Sequence, residues 1–93
     1  MQITVEIGET KGQFTARDGD AVGGFMTFSR AGETRIIVDH TEVADEARGT
    51  GLGRQLFDAM VNWARANRVQ VIALCPYAAS VFRKVPEARD VLA

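Results

Sequence analysis

The feature of this sequence with the clearest chemical meaning is a glycine-rich loop, Arg48-Gly49-Thr50-Gly51-Leu52-Gly53, directly before a helical pattern. Glycines in alternate positions let the backbone turn sharply and expose its N–H groups. The first four N–H groups of the following helix have no partner within it, and a helix start carries roughly half a positive charge. Together with the Thr50 hydroxyl and the charges of Arg48 and Arg54, these groups predict a site for a diphosphate or a similar anion.

Two familiar phosphate-binding motifs do not fit this loop. The pattern G-x-x-x-x-G-K-[ST] of nucleoside triphosphatases is absent from the chain. The glycine spacing also differs from the G-x-G-x-x-G of dinucleotide-binding folds, and the loop follows a fourth predicted strand rather than a first one. A glycine loop that does no more than begin a helix stays open as an alternative.

Three side chains could act as a nucleophile or as bases. Cys75 lies between a predicted strand and a predicted helix start, a position that favours the reactive thiolate, although a small buried residue is the alternative. No Lys, Arg or His adjoins Cys75, which disfavours a covalent route through its sulfur. His40 and Glu42 alternate onto one face of a predicted strand, where either could remove a proton from a substrate. The alternative is a structural histidine and a solvated glutamate.

Composition restricts the class of protein. The 93 residues suffice for one domain over positions 1–93, and 46% hydrophobic with 25% charged residues is typical of a globular chain. A net charge of -1 gives no reason to expect nucleic acid or an acidic membrane as a partner. With one cysteine and one histidine, neither an intramolecular disulfide nor a structural zinc site is expected. No signal peptide or membrane-spanning stretch is visible, so we expect a cytoplasmic protein.

The first half of the chain predicts four strands. Ile3, Val5 and Ile7 alternate with polar residues, which is typical of a strand with one buried face over 2–7. A second alternation covers 13–17, after turn residues between Gly8 and Gly12. Residues 21–30 and 34–43 favour two further strands joined by a short hairpin connection.

The hydrophobic period changes after the glycine loop. Leu52, Leu56, Met60 and Trp63 keep helical spacing, which predicts a helix over 51–67. The nearly unbroken apolar run 69–75 predicts a strand covered on both faces, as in parallel pairing. A short second helix is expected over 77–84, before Pro86. The fold class is therefore α/β (α+β) in the order β-β-β-β-α-β-α, with four antiparallel strands leading into one βαβ crossover.

Three segments resemble a known superfamily. Arg48-Gly49-Thr50-Gly51-Leu52-Gly53 is similar to the pattern [QR]-x-x-G-x-[GA] that binds coenzyme A in the GNAT N-acetyltransferases. His40-Thr41-Glu42-Val43 and Cys75-Pro76-Tyr77-Ala78 resemble the short Yjdj-type branch of that superfamily. The resemblance is strong over residues 34–86 and extends to the strand order of the whole chain.

The resemblance implies an acetyl-coenzyme A-dependent N-acetyltransferase acting on a primary amine. Acetyl-coenzyme A would be held by the loop, with its pantetheine arm between the fourth and fifth strands, which splay apart. Backbone groups near Glu42 and Val43 would pair with the arm, and Cys75 and Ala78 would line its channel. We expect a monomer or a weak homodimer.

Two departures from the superfamily leave other functions open. Larger GNAT enzymes have helices between their first two strands, whereas Gly8 to Gly12 leaves no room for one, so the acceptor side should be open. Many also carry Asn-x-x-Ala-x-x-x-Tyr, whose Tyr protonates the leaving thiolate. The matching positions are Cys75, Ala78 and Phe82, and Phe82 has no hydroxyl. The alternatives are a non-catalytic acyl-coenzyme A binder or sensor and an interaction protein that has lost the cofactor.

Overall fold

Five strands form one mixed sheet in the order β1-β2-β3-β4-β5 in the computed structural model, which describes residues 1–93. Strands β1 to β4 pair antiparallel, and β5 pairs parallel to β4. The predicted order β-β-β-β-α-β-α is confirmed. The elements are β1 (Gln2–Ile7), β2 (Lys11–Asp18), β3 (Ala21–Arg30), β4 (Arg35–Val43), α1 (Leu52–Asn67), β5 (Gln70–Ala73) and α2 (Pro76–Lys84), with 3-10 turns at Asp45–Ala47 and Pro86–Val91.

Both helices pack on one side of the sheet, which we call the helix face. Met26 and Val38 are buried on this side of β3 and β4, beneath α1. The helix α2 joins the same layer, because the rings of Phe57 in α1 and Phe82 in α2 meet edge to face with centroids 4.8 Å apart. The helix predicted from the hydrophobic spacing is confirmed. Its buried stripe consists of Leu52, Leu56, Phe57, Met60, Val61 and Ala64.

The other side of the sheet, which we call the open face, carries no helix. The row of neighbouring residues Glu6, Gln13, Thr27 and His40 crosses it from β1 to β4, and all four are exposed or half-buried. The connection between β1 and β2 is only Gly8–Thr10, so it adds no covering element. The short connection between β1 and β2 predicts such an uncovered side of the sheet.

The predicted double burial of the fifth strand is wrong. The strand is Gln70–Ala73 rather than 69–75, and it lies at the sheet edge. Val71 is buried, but Leu74, just beyond the strand, is 68% exposed. The physical reason is that no helix covers the open face, so even a parallel strand is buried on one side only. Its outer edge is partly closed by the chain end, where the Ala93 N–H donates to the Val71 carbonyl at 2.9 Å.

A β-bulge in β4 changes which way its side chains point. Phe28 pairs with Val38 but Thr27 pairs with His40, so Asp39 is an extra residue. Without the bulge, the period of two would place His40 on the helix face beside Val38. With it, His40 lies on the open face, opposite Thr27.

An ion pair ties the C-terminal turn to α1. Arg65 donates two hydrogen bonds to the Asp90 carboxylate, at 2.8 and 2.6 Å, and a third to the Glu87 carbonyl. The hydrogen bond from Arg65 lowers the pKa of Asp90 below its usual value. Because the folded pKa is the lower one, this contribution to stability is present above the unfolded pKa and is lost as the pH falls through the folded pKa. No helix of the chain has the length and apolarity needed to cross a bilayer.

Candidate cofactor site

The strands β4 and β5 separate part-way along β4. Their pairing ends at Val38 and Ala73, and the N–H groups of Leu74 and Cys75 both donate to the Val38 carbonyl, at 3.1 and 2.8 Å. Beyond that point β4 continues over 39–43, while the segment that follows β5 turns away into α2 at Pro76. The result is an opening between the end of β4 and the start of α2, which we call the wedge.

The backbone of β4 offers hydrogen-bonding groups to the wedge. The Ala44 N–H donates to the Gly23 carbonyl of the neighbouring chain segment at 2.8 Å. Because bonding directions alternate along an antiparallel ladder, the backbone groups of Glu42 also point toward β3. Those of Thr41 and Val43 therefore point the other way, into the wedge, where β5 no longer pairs with them.

The glycine loop at the end of the wedge has a set of N–H groups without acceptors. Gly49 and Gly51 have φ values of 80° and 81°, which L side chains rarely adopt, and the space that a Cβ would occupy at either position is open. Gly51 is the N-cap of α1, and no side chain caps the helix. No acceptor within the protein binds the N–H groups of Gly49, Gly51, Leu52, Gly53 and Arg54. A set of free N–H groups at a helix start fits an anion.

Gly53 has a different role from the other two glycines of the loop. It has no positive φ, but a Cβ at this position would lie 2.9 Å from Tyr77 Oη and 3.1 Å from Tyr77 Cζ. A side chain at position 53 would therefore crowd the tip of the Tyr77 side chain, which packs from α2 against the first turn of α1. Burial raises the pKa of Tyr77, and the neighbouring Arg54 opposes that shift.

Cys75 lies on the helix-face side of the wedge. Its side chain is only 3% exposed, and its Sγ lies 3.4 Å from Thr41 Oγ1. Ala78 and Phe82, one and two turns further along α2, are buried as well. The structure therefore brings Cys75 and Ala78 together, with a neutral hydroxyl as the hydrogen-bonding neighbour of the thiol.

His40 and Glu42 lie on the open face, as neighbours. The His40 Nε2 is 3.8 Å from Glu42 Oε1, and both side chains are exposed. The imidazole ring also lies beside Phe25, with centroids 6.1 Å apart. Because Thr41 points to the helix face and contacts Cys75, the two candidate bases lie on the opposite side of β4 from the thiol.

Comparison with known families shows which family the chain belongs to. A family model described as GCN5-related N-acetyl-transferase matches residues 13–91, which is most of the chain and includes the loop and the wedge. The chain belongs to the GCN5-related N-acetyltransferase family. The short Yjdj-type branch within it stays a prediction.

Solved acetyltransferase structures share the fold of this family member. The solution structure of a GCN5-like N-acetyltransferase candidate from Staphylococcus aureus is 31% identical, with a TM-score of 0.70, and the match covers 97% of this chain and 87% of that one. A ribosomal-protein-alanine N-acetyltransferase from Brucella melitensis biovar Abortus 2308 is 23% identical, with a TM-score of 0.65, over 92% of this chain and 64% of that one. An IAA acetyltransferase from Bacillus cereus ATCC 14579 is 16% identical, with a TM-score of 0.64, over 82% and 54%. A search of curated proteins found no match.

Three polar side chains in the glycine loop and directly after it already have partners within the chain. The Thr50 hydroxyl donates to the Ala47 carbonyl at 2.5 Å, so it stabilises the turn. Arg48 pairs with Asp45, three residues earlier, and Arg54 pairs with Asp58, four residues later. Both acidic partners stand at helical spacing in the sequence, which is the signal that could have revealed these pairs. The N–H groups without acceptors, rather than these side chains, are the free donors of this segment.

Proposed function

We propose that this chain is an acetyl-coenzyme A-dependent N-acetyltransferase that acts on a primary amine, with residues 1–93 forming one domain. The observation that carries the proposal is that five N–H groups without acceptors lie in the loop and helix start at the end of a wedge lined by free strand backbone. Acetyl-coenzyme A supplies the acetyl group as a thioester, which is reactive toward amines. Family membership supports the reaction class.

The chain's own groups fit the two ends of such a cofactor. The N–H groups from Gly49 to Arg54, apart from that of Thr50, would hold the diphosphate. The backbone groups of Thr41 and Val43 would pair with the amides of the pantetheine arm as a further strand does. Cys75 and Ala78 would line the inner end of the wedge on the helix face. The side chain of Glu42 belongs to the opposite face, where the acceptor binds.

The open face is where we place the amine acceptor. A primary amine is mostly an ammonium at neutral pH, since its pKa is about 10, and only the neutral form attacks a thioester. His40 and Glu42 are exposed on this face beside the wedge, and either can take the proton, directly or through a water molecule. Because both are solvated, the proton then passes to bulk water.

Coenzyme A is expected to bind the folded protein and to raise its melting temperature. A ligand that binds only the folded state stabilises it by about 2.7 kcal/mol at a hundred times its Kd. Isothermal titration calorimetry with coenzyme A, together with thermal unfolding at increasing ligand concentration, measures both effects. No heat of binding and no shift in Tm at millimolar coenzyme A would refute the cofactor assignment.

A non-catalytic acyl-coenzyme A binder is the second candidate function, and Phe82 favours it. This residue occupies the position of the proton-donating Tyr in the superfamily pattern, and it is only 2% exposed and packed on Phe57. Acetyl-coenzyme A turnover with a panel of primary amines separates the two functions. Amine-dependent release of free coenzyme A supports the enzyme, whereas binding without release supports the sensor.

Cys75→Ala is expected to keep turnover within about tenfold of the original rate. The buried thiol has a hydroxyl as its hydrogen-bonding neighbour, and the candidate bases lie on the other face of β4, so no base adjoins the sulfur. Direct transfer needs positioning, which the loop and the strands provide without the sulfur. Steady-state kinetics of Cys75→Ala, with Cys75→Ser as a control of matched size, measures the effect.

The covalent route makes the opposite prediction. Protein mixed with acetyl-coenzyme A and no amine would then gain one acetyl group on the Cys75 sulfur while free coenzyme A leaves. Mass spectrometry before and after hydroxylamine detects that thioester. A Cys75 acetyl group that is passed to an amine as fast as turnover would show that direct transfer is the wrong mechanism.

A further inference from the structure

The two edges of the sheet differ in how they are covered. At β5 the chain end covers part of the edge, because the Ala93 N–H donates to the Val71 carbonyl. At the other edge, β1 pairs with β2 alone, and no further strand lies beside it. Proteins usually protect such an edge with a proline, a lysine or a bulge. The strand Gln2–Ile7 has none of these, and its one charged side chain, Glu6, is paired with Arg17.

The backbone groups on the free edge belong to the apolar residues of β1. The Gly8 N–H donates to the Lys11 carbonyl at 2.7 Å, so these two residues face each other as a hydrogen-bonded pair. Bonding directions alternate along an antiparallel ladder, so the groups of the other even-numbered residues of β1 also point toward β2. The N–H and C=O groups of Ile3, Val5 and Ile7 therefore point outward, where a further strand can pair with them.

The side chains of the same three residues form an apolar stripe that the helices leave uncovered. Val5 lies beside Phe14 of the core, which places the stripe on the helix face. Helix α1 packs on β2, β3 and β4, so Val5 stays 39% exposed and Ile7 48% exposed. Ile3 is half-buried against the core. The edge therefore offers free backbone groups and an apolar surface together.

We propose that this edge binds a second copy of the chain, with the two β1 strands antiparallel about a twofold axis that passes through Thr4. Facing residues of an antiparallel pair lie on the same side of a sheet, so an axis normal to the sheet must pass through a residue and not between two residues. An axis at Thr4 places Ile3 opposite Val5 of the second copy and Gln2 opposite Glu6 of the second copy. The two sheets then form one continuous sheet.

This register is complementary on both faces. On the helix face, Ile3 and Val5 of the two copies cover each other, and their outward N–H and C=O groups bond across the axis. On the open face, the Gln2 amide can donate to the Glu6 carboxylate, and no like charges stand opposite each other. An axis at Val5 would instead place Gln2 opposite Gly8 and lose the pair of amide and carboxylate. The chemistry of the strand therefore favours Thr4 as the centre.

The dimer leaves both wedges accessible. Because the axis is normal to the sheet, the two open faces lie on the same side. The two wedges lie at the far ends of the combined sheet, since β1 and β5 are its opposite edges in each copy. This inference goes beyond the proposed function and does not depend on it.

Sedimentation velocity tests the association. One strand edge buries less than the ~800 Å² per partner of a standard interface, so the dimer should be weak and should form between about 10 μM and 1 mM. Val5→Lys places a charge in the apolar stripe and should raise the dimer Kd at least about tenfold. Val22→Lys is the control and should keep the Kd, because Val22 is 45% exposed but lies on β3, away from this edge. Circular dichroism checks that both variants are folded.

A disulfide tests the register. Thr4→Cys in a Cys75→Ser background has one thiol, and the facing Cα atoms at position 4 would be about 4.5 Å apart, which suits a disulfide. Glu6→Cys in the same background is the control, because its two thiols would be separated by about 13 Å along the strands. Mild oxidation should convert Thr4→Cys to a covalent dimer and leave Glu6→Cys monomeric.

Three results would overturn the proposal. They are a protein that sediments as a monomer at about 1 mM, an unchanged dimer Kd for folded Val5→Lys, and cross-linking of Glu6→Cys as fast as that of Thr4→Cys. None of these measurements uses coenzyme A, so failure of the dimer and failure of the proposed function are distinguishable.

Discussion

Gly51→Val is expected to lower the affinity for coenzyme A at least tenfold, which corresponds to about 1.4 kcal/mol. Gly51 has a φ of 81°, and a left-handed backbone costs an L residue roughly 1–2 kcal/mol, more so for a β-branched one. Its Cβ would project into open space at the loop, where we place the diphosphate. Calorimetric titration of the folded variant measures the loss.

Gly32→Val is the matched control for this substitution. Gly32 has a φ of 77° in the turn between β3 and β4, and a Cβ there also meets nothing within 4 Å. The backbone strain is therefore comparable, but the turn lies outside the loop and the wedge. Gly32→Val should lose similar stability and keep its affinity for coenzyme A. A folded Gly51→Val that binds as tightly as Gly32→Val would mean that the phosphates bind elsewhere.

Phe57→Ala is expected to reduce the free energy of unfolding by about 3–5 kcal/mol. Phe57 is fully buried in α1, and its ring packs edge to face on Phe82 of α2. Domains have only about 5–15 kcal/mol in total, so this loss brings a chain of 93 residues close to unfolding. Because α2 begins directly after Cys75 at the wedge, the variant should also bind coenzyme A more weakly. Urea unfolding followed by circular dichroism measures the stability.

Leu74→Ala is the control for the loss of a large apolar side chain. Leu74 is 68% exposed at the end of β5, so its removal leaves no cavity. Its effect should stay within about 0.5 kcal/mol. A loss below about 1 kcal/mol for Phe57→Ala would contradict the view that the contact between Phe57 and Phe82 holds the two helices together.

The sequence alone was sufficient for the element order and for the loop. Period-two alternation in β1 and β2 and helical spacing in α1 are local patterns, so they indicate the elements without tertiary information. The glycines at positions 49 and 51 are likewise a local signal, because glycine itself tolerates the positive φ that the backbone adopts there. The proposed cofactor and acyl-transfer chemistry rest on the resemblance of three segments to the GNAT superfamily. The family match supports an acetyltransferase and goes no further.

The tertiary structure decided how the candidate residues are divided between the two faces of the sheet. The alternation along β4 groups His40 with Val38, but the bulge at Asp39 turns His40 to the open face and away from Cys75. A bulge depends on the register with β3, which no local pattern reveals. The same holds for the one-sided burial of β5, since an apolar run does not state whether a helix will cover its second face.

Tyr77 shows most clearly what only the fold determines. In the sequence it is one aromatic residue after a proline, at a predicted helix start. Its closeness to Gly53, 24 positions earlier in the chain, exists only because Phe57 and Phe82 pack α2 against α1. The sequence by itself thus determined where glycines let the chain turn into a helix. Only the packing of the two helices decided which side chain lies beside that turn, because contacts between distant segments depend on the whole core.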